Sequence, residues 1–377
     1  MQHLETVTRS KEASWYHLSG SWQGDVERWI ASTPETVAIC NDPVVAGIDY
    51  TTKMRRAMVS AISSAPFRPF LESVPSARLC IMNFLRGGLN FDLRGALYDS
   101  LGSEYHATCF MSSQRKRKDG RWTVKEDMYR KMKIPRGAIL LVGDVVATGV
   151  TVENGLRVIE QYLVERQTPI RGIVFFTIGC HKLEKILQEF HGRFKKHFPD
   201  DYQETHAVYL EGKFRLVDSA TRLMIAIQGT DLIKIDSLLA PEFEASQYDN
   251  IFAPLERCTI YDAGSRAFDV GEYFNDVVQY WEQVRVLSRR GYTLREALKE
   301  RWPENEYTSR AAFEVAARSR WHGLDEEFLE YLHTCYEKRW TDSFKKWART
   351  PEALESVCDE RLQLLNVVID RAEGNHA

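Results

Sequence analysis

The sequence predicts an α/β domain with a mostly parallel sheet flanked by helices, followed by an all-helical C-terminal domain. Short apolar runs at Leu79–Met82, Ala138–Val142 and Ile173–Thr177 alternate with helical stretches at Phe91–Leu101 and Val152–Arg166. Continuous apolar runs of that length, spaced by helices, are the pattern of strands covered on both faces. Beyond about Gly271 the strand signals stop, and Trp, Leu and Glu recur at helical spacing. A chain of 377 residues also suggests about two domains, at roughly 150 residues each.

Residues 1–75 are expected to form a helical lead-in, with one helix at Thr51–Ile62 that ends before Pro66 and Pro69. Residues 76–270 form the expected α/β domain. Within it, 205–248 is expected to be an antiparallel insertion. Its runs His206–Leu210, Phe214–Val217 and Leu223–Ile227 are separated by turn-like Glu211-Gly-Lys213 and Asp218-Ser219. Residues 271–377 form the helical domain. There Thr293-Leu-Arg-Glu296 has capping-box form and Thr350-Pro351 sets proline at a first helical position. Leu354, Val357, Cys358, Leu362, Leu365, Val368 and Ile369 share one stripe of the last helix. Trp281, Trp302, Trp321, Trp340 and Trp347 are core aromatics or anchors for a partner or a second copy.

The formal net charge of −3 excludes a globally basic nucleic-acid binder and leaves room for local basic patches. Seven scattered cysteines with no C-x-x-C pair read as reduced core thiols, not a disulfide framework or a zinc site. No apolar segment approaches the roughly 20 residues of a membrane span. The N-terminal residues lack a basic region followed by an apolar stretch. A cytoplasmic protein with no membrane partner is the expectation.

The chemistry concentrates at Ile139–Thr151. An apolar strand stops at Gly143-Asp144, and the segment Ala147-Thr148-Gly149-Val150-Thr151 leads straight into a helix. Such a turn aims backbone N–H groups at one point, where the Thr148 and Thr151 hydroxyls add donors, and this makes a phosphate cradle. Asp144 would accept hydrogen bonds from ribose hydroxyls. Taken alone, the same residues equally make a tight strand-to-helix turn capped by Asp144 and Thr148. The histidines, His106 and His181 among them, show no metal-ligand spacing.

Ile139–Thr151 resembles the phosphoribosyl-pyrophosphate signature of type I phosphoribosyltransferases: four apolar residues, an acidic pair, a small residue, then Thr-Gly-x-Thr. Two further segments are most similar to uracil phosphoribosyltransferases, and they stand in the same chain order. Phe84-Leu-Arg-Gly-Gly-Leu89 resembles that family's Leu-Arg-Ala-Gly-Leu loop. Tyr261-Asp-Ala-Gly-Ser-Arg-Ala-Phe268 resembles its Gly-Asp-Ala-Gly-Asp-Arg-x-Phe segment. The resemblance covers roughly residues 77–270.

The resemblance implies that Arg86, with the backbone of Gly87 and Gly88, grips pyrophosphate. It implies that Asp262 interacts with phosphoribosyl pyrophosphate and the Mg²⁺ bound to it, and that backbone around Ala263 and Gly264 lies near the base. Met111–Ile134 corresponds to a flap that closes over the site, where Arg115, Lys116 and Arg117 would meet pyrophosphate while water is excluded. Arg94 is expected on a helix surface. The implied activity is that of a glycosyltransferase of the pentosyl class, a nucleotide-salvage enzyme. It would transfer the phosphoribosyl group to a pyrimidine-like base and release pyrophosphate. Its partners are phosphoribosyl pyrophosphate and a nucleobase-like acceptor.

The pattern is broken in two places. Gly143 stands where the motif's first acid would be, so one carboxylate remains, and electrostatic support for a positively charged transition state is reduced. On the base side Tyr261 replaces a glycine, Ser265 replaces an aspartate, and Arg257-Cys-Thr-Ile260 replaces a Pro-Gly-Leu-Gly run. The Tyr261 ring would fill the base pocket, stack on a base or turn outward. A second expectation therefore comes from another class: a catalytically lapsed sensor that binds phosphoribosyl pyrophosphate or a nucleotide and signals through its C-terminal helices.

Overall fold

The computed structural model describes residues 2–85, 87–118, 121–226, 231–256, 263–302 and 306–372; along 113–118 and 121–128 it describes backbone only. The chain forms two compact units, residues 1–36 with 51–213 and residues 37–50 with 214–377.

In chain order the first unit carries strands β1 (His3–Thr8), β2 (Ser14–Ser19) and β3 (Glu27–Ser32). Helices α1 (Pro34–Asn41), which belongs to the second unit from Val37 on, α2 (Gly47–Ser64), which belongs to the first unit from Thr51 on, and α3 (Arg68–Glu72) come next, and then β4 (Leu79–Phe84) and α4 (Leu93–Leu101). The hairpin β5 (Ala107–Lys118) and β6 (Arg121–Lys131) leads to β7 (Ala138–Gly143), α5 (Val150–Glu165), β8 (Ile170–Cys180), α6 (Lys182–His197) and β9 (Glu204–Leu216). These strands lie in the order β1-β2-β3-β9-β8-β7-β4-β5-β6. The pairs β3–β9, β8–β7, β7–β4 and β4–β5 are parallel. β9 follows β8 in the same sense: the Gln203 N–H bonds to the Arg171 carbonyl at one end and the Tyr209 hydroxyl reaches the Cys180 carbonyl at the other. The expected mostly parallel α/β sheet is therefore present.

The central strands form because nothing in them belongs in water. Every residue of β4 and of β7 is buried, and Arg171 is the single half-exposed position in β8. α5 covers one face with Val152, Leu156, Ile159 and Leu163, a stripe at helical spacing. Burying each such side chain contributes about 1.5–3 kcal/mol. Gly155 of α5 has no room for a side chain, because the Phe84 ring of β4 stands where its Cβ would be. The Phe84 ring thus lies against the backbone of α5.

Two expectations need correction. Residues 1–75 do contain the helix at Thr51–Ile62, inside α2, but they also contribute β1–β3, an antiparallel meander that joins the main sheet through the parallel β3–β9 pair. The segment 205–248 is not a separate antiparallel insertion. His206–Leu210 and Phe214–Leu216 belong to one strand, β9, which runs through Glu211-Gly212-Lys213. Glu211 takes a left-handed φ of 65° and is fully buried. The Ser32 hydroxyl (2.8 Å), the Thr33 N–H (3.1 Å) and the Thr36 hydroxyl all donate to its carboxylate. Those bonds offset the strain and desolvation that made the tripeptide read as a turn. Residues 223–226 form no strand.

The second unit contains β10 (Leu232–Leu239), paired with the end of β9, and helices α7 (Pro241–Asp249), α8 (Ala263–Phe268), α9 (Val270–Ser288), α10 (Leu294–Arg301), α11 (Arg310–Arg320), α12 (Glu326–Arg339), α13 (Asp342–Trp347) and α14 (Pro351–Ala372). The expected capping box of Thr293 and Glu296 is formed, and Pro351 opens α14. α14 packs along α9, burying Leu354, Val357, Cys358, Leu362 and Leu365. Trp281, Trp302, Trp321 and Trp340 are core, whereas Trp347 is 42% exposed. Two guanidinium groups of this unit pair with buried carboxylates. The Arg361 guanidinium donates to Glu256 at 2.6 Å and to Asp42 at 2.8 Å, and Arg320 forks onto Glu244 at 2.6 and 3.0 Å.

Among the described residues no helix is long and apolar enough to cross a membrane. The described cysteines, Cys40, Cys80, Cys109, Cys180, Cys335 and Cys358, are free and buried.

Candidate functional site

Parallel strands deliver their C-terminal ends to one edge of the sheet, and β4 and β7 are neighbours there, with Met82 opposite Val142. Both chains leave the sheet within two residues of that pair. β4 passes through Leu85 into a short 3-10 turn, Gly87–Phe91. β7 ends at Gly143 and continues along β8 by isolated bonds. The Asp144 N–H donates to the Phe176 carbonyl, the Val146 N–H to the Ile178 carbonyl and the Cys180 N–H to the Val146 carbonyl, each at 3.1 Å. The two expected phosphate loops are therefore brought side by side by the pairing of their strands.

Their contact is backbone to side chain. A Cβ at Gly87 would clash with the Asp144 Oδ1. One at Gly88 would stand 3.1 Å from the Asn83 Cα and 3.3 Å from the Gly143 carbonyl oxygen. Glycine at both positions is thus what allows the turn to lie on the ends of β4 and β7. Asp144 is 8% exposed, and its Oδ1 accepts the Val145 N–H at 2.8 Å.

Ala147 and Thr148 are half-buried in the turn that follows. Gly149 is the N-cap of α5, with φ 79° and no side-chain cap. Val150 and Thr151, both half-buried, form the first turn. A helix that starts without a side-chain acceptor presents its first N–H groups outward with the positive end of its dipole, the arrangement that receives an anion.

Some neighbours of this loop carried no signal in the sequence. Lys182 opens α6 beside it: a Cβ at Gly149 would lie 3.6 Å from the Lys182 Cβ, and 2.5 Å from Ile186 Cδ1 one turn further on. The Cys180 thiol donates to the Ala147 carbonyl at 3.1 Å. Burial holds the His181 imidazole below its ordinary pKa, and Lys185 and Lys182 add to the effect. Phe91, at the end of the 3-10 turn, is fully buried. Its Cγ, Cβ and Cδ1 stand 2.5, 2.6 and 2.8 Å from where a Gly143 Cβ would be. The Phe91 side chain occupies the space that any side chain at position 143 would need.

The remaining expected residues divide into three groups. Arg86, Tyr261 and Asp262 lie outside the described residues. Arg115, Lys116 and Arg117 lie on β5, opposite Val124, Thr123 and Trp122 of β6. The backbone of the expected flap is thus an antiparallel hairpin, and the side chains of these residues are outside the description. Ala263 and Gly264 open α8 in the second unit, with Gly264 buried. In that helix Arg266 is structural: its guanidinium donates to the Val45 carbonyl at 2.6 Å, to Ile39 at 3.1 Å and to Asp42 at 2.8 Å. Arg94 is exposed on α4, as expected.

Among the described residues no group of three or more His, Cys, Asp or Glu could hold a metal ion.

No family model matches the sequence, and no curated protein matches it. Solved structures give partial likenesses. A protein from Aquifex aeolicus aligns over 48% of this chain and 84% of its own, at 14% identity and a TM-score of 0.32. A hypothetical protein from Neisseria gonorrhoeae with bound ppGpp aligns over 34% and 67%, at 17% identity and 0.23. A purine phosphoribosyltransferase from Pyrococcus horikoshii aligns over 43% and 93%, at 15% identity and 0.22. Scores at that level carry no inference about activity.

Proposed function

We propose that the edge formed by β4, β7 and the start of α5 binds phosphoribosyl pyrophosphate, and that the chain is a phosphoribosyltransferase acting on a pyrimidine-like base. The observation that carries this reading is the convergence of the Gly87-Gly88 turn on Asp144, next to the uncapped N-terminus of α5.

The Gly149–Thr151 backbone with the Thr148 and Thr151 hydroxyls holds the 5-phosphate, and Asp144 faces the ribose. Arg86 and the Gly87-Gly88 backbone hold the pyrophosphate, and the basic residues Arg115, Lys116 and Arg117 of the hairpin cover it. Asp262 meets the Mg²⁺ that the pyrophosphate would carry, with Tyr261, Ala263 and Gly264 toward the base. When bound, the metal neutralises charge on the leaving pyrophosphate. The leaving group is already activated, so positioning and exclusion of water supply most of what the protein must add. Pyrophosphate release, measured with a panel of nucleobases against a no-base control and Asp144→Asn, tests the reading. Release that needs one base and Asp144 is expected; silence across the panel, in folded protein, refutes transfer.

One observation favours a second reading. Phe91 fills the space beside Gly143, so the missing acid is excluded by packing. A site that binds the metabolite or a nucleotide without turnover, with the C-terminal helices as its output, accounts for that arrangement. It predicts binding of phosphoribosyl pyrophosphate with no release of pyrophosphate.

A further inference from the structure

The start of α6 lies against the start of α5. The end of β8 ties them together: the Cys180 N–H donates to the Val146 carbonyl and the Cys180 thiol to the Ala147 carbonyl, each at 3.1 Å. A Cβ at Gly149, the N-cap of α5, would stand 3.6 Å from the Lys182 Cβ. Lys182 is the first residue of α6, and the N-cap of that helix, His181, makes no side-chain cap either. From its Cβ the flexible stem of a lysine carries the ammonium past the Gly149 backbone.

That ammonium is not spent on a carboxylate. Glu184, in the first turn of α6, is buried and already bonded to Arg28 at 3.4 Å and to Lys213 at 3.3 Å. Among the described residues neither Lys182 nor Glu153, the exposed acid in the first turn of α5, makes an ion pair. The His181 imidazole registers the positive surroundings: burial, then Lys185 and Lys182, hold it below its ordinary pKa.

We propose that Lys182 is a phosphate-binding residue whose ammonium closes the cradle at the start of α5, so that the edge selects the dianionic end of a phosphomonoester over a phosphodiester or an uncharged sugar. A dianion is matched by one localised cation beside the positive end of a helix. A phosphodiester brings a single charge and a second substituent into the same turn. The inference rests on the proposal that this edge binds a phosphorylated ribose, and it names the side chain that holds the phosphate.

The test is calorimetric titration of the full-length chain with inorganic phosphate, ribose 5-phosphate and dimethyl phosphate. The wild type should bind the first two saturably and dimethyl phosphate at least tenfold more weakly. A charge-assisted hydrogen bond is worth about tenfold or more in affinity. Lys182→Met should therefore lose at least tenfold for ribose 5-phosphate, and Lys182→Arg, which keeps the cation, should stay within threefold of wild type. Lys185→Met removes an exposed cation of the same turn and should also stay within threefold. A loss below threefold in Lys182→Met, an equal loss in Lys185→Met, or equal binding of dimethyl phosphate would overturn the inference while leaving the binding proposal intact. Saturable binding of none of the three ligands would overturn the binding proposal itself, and the inference with it. If Lys182→Met does not fold, the wild type decides. Its His181 imidazole, followed by proton NMR, should titrate at higher pH in saturating phosphate than without it, and an unchanged titration would overturn the inference.

Discussion

Replacing Gly143 with alanine tests whether Phe91 and the end of β7 are packed as described. The added methyl would stand 2.5 Å from Phe91 Cγ, 2.6 Å from its Cβ and 2.8 Å from its Cδ1, all closer than carbon atoms can approach. Both residues are buried, so the ring must shift within a filled core. Overpacking of this kind costs about 1–3 kcal/mol, from which the lower chain entropy of alanine returns about 0.5–1 kcal/mol. Phe91→Ala alone should cost about 3–5 kcal/mol through the cavity it leaves. In the double variant the new methyl is freed from Cγ and Cδ1 and keeps only its close approach to the residue-91 Cβ, so the two costs should fall short of additivity by about 0.5–3 kcal/mol. Urea unfolding of the four proteins, followed by tryptophan fluorescence and far-ultraviolet circular dichroism, gives the cycle. Additive costs within experimental error would refute the claim that the ring holds the space of the missing acid.

Other outcomes follow from the same geometry. Gly149→Ala places a Cβ at φ 79° and against Ile186 Cδ1; it should cost about 1–2 kcal/mol in backbone strain alone and weaken phosphate binding, which titration with inorganic phosphate checks. Glu244→Gln leaves the half-buried Arg320 without its anion and should lower the stability of the second unit by about 1–3 kcal/mol, read as a lower urea midpoint. Burial depresses the imidazoles of His181 and His191 below their ordinary 6.5. Their neutral forms are favoured by folding, so stability is complete above that value and declines as pH falls through the depressed folded values. A thermal-melt series across this range should lose part of its acid-side slope in His191→Gln.

The elements that read clearly in the sequence are those whose burial is unbroken. β4, β7 and β8 are continuous apolar runs, and α5 shows its stripe through Val152, Leu156, Ile159 and Leu163. β1 and β3 are six-residue strands of mixed burial, too short and too polar in places to separate from loop by pattern alone. The course of β9 through Glu211 was hidden because its hydrogen-bond donors, Ser32, Thr33 and Thr36, are remote in the chain. At the candidate site, the glycines and threonines of the turn between β7 and α5 stand out locally in the sequence. Lys182 and Phe91 do not, because each reaches that turn or the end of β7 from another element through tertiary packing. The absent acid at Gly143 was visible as a departure from the motif. Its physical cause became visible only when the 3-10 turn placed Phe91 against it.

The most direct test of the central claim is equilibrium titration of phosphoribosyl pyrophosphate with Mg²⁺ into the wild-type chain and into Thr148→Val/Thr151→Val. Each hydroxyl bonded to a charged phosphate contributes about 1.5–3 kcal/mol. The account predicts saturable one-site binding to the wild type, weakened at least tenfold in the variant with its circular dichroism unchanged. Absence of binding to folded wild-type protein, or equal binding by the two, would contradict it.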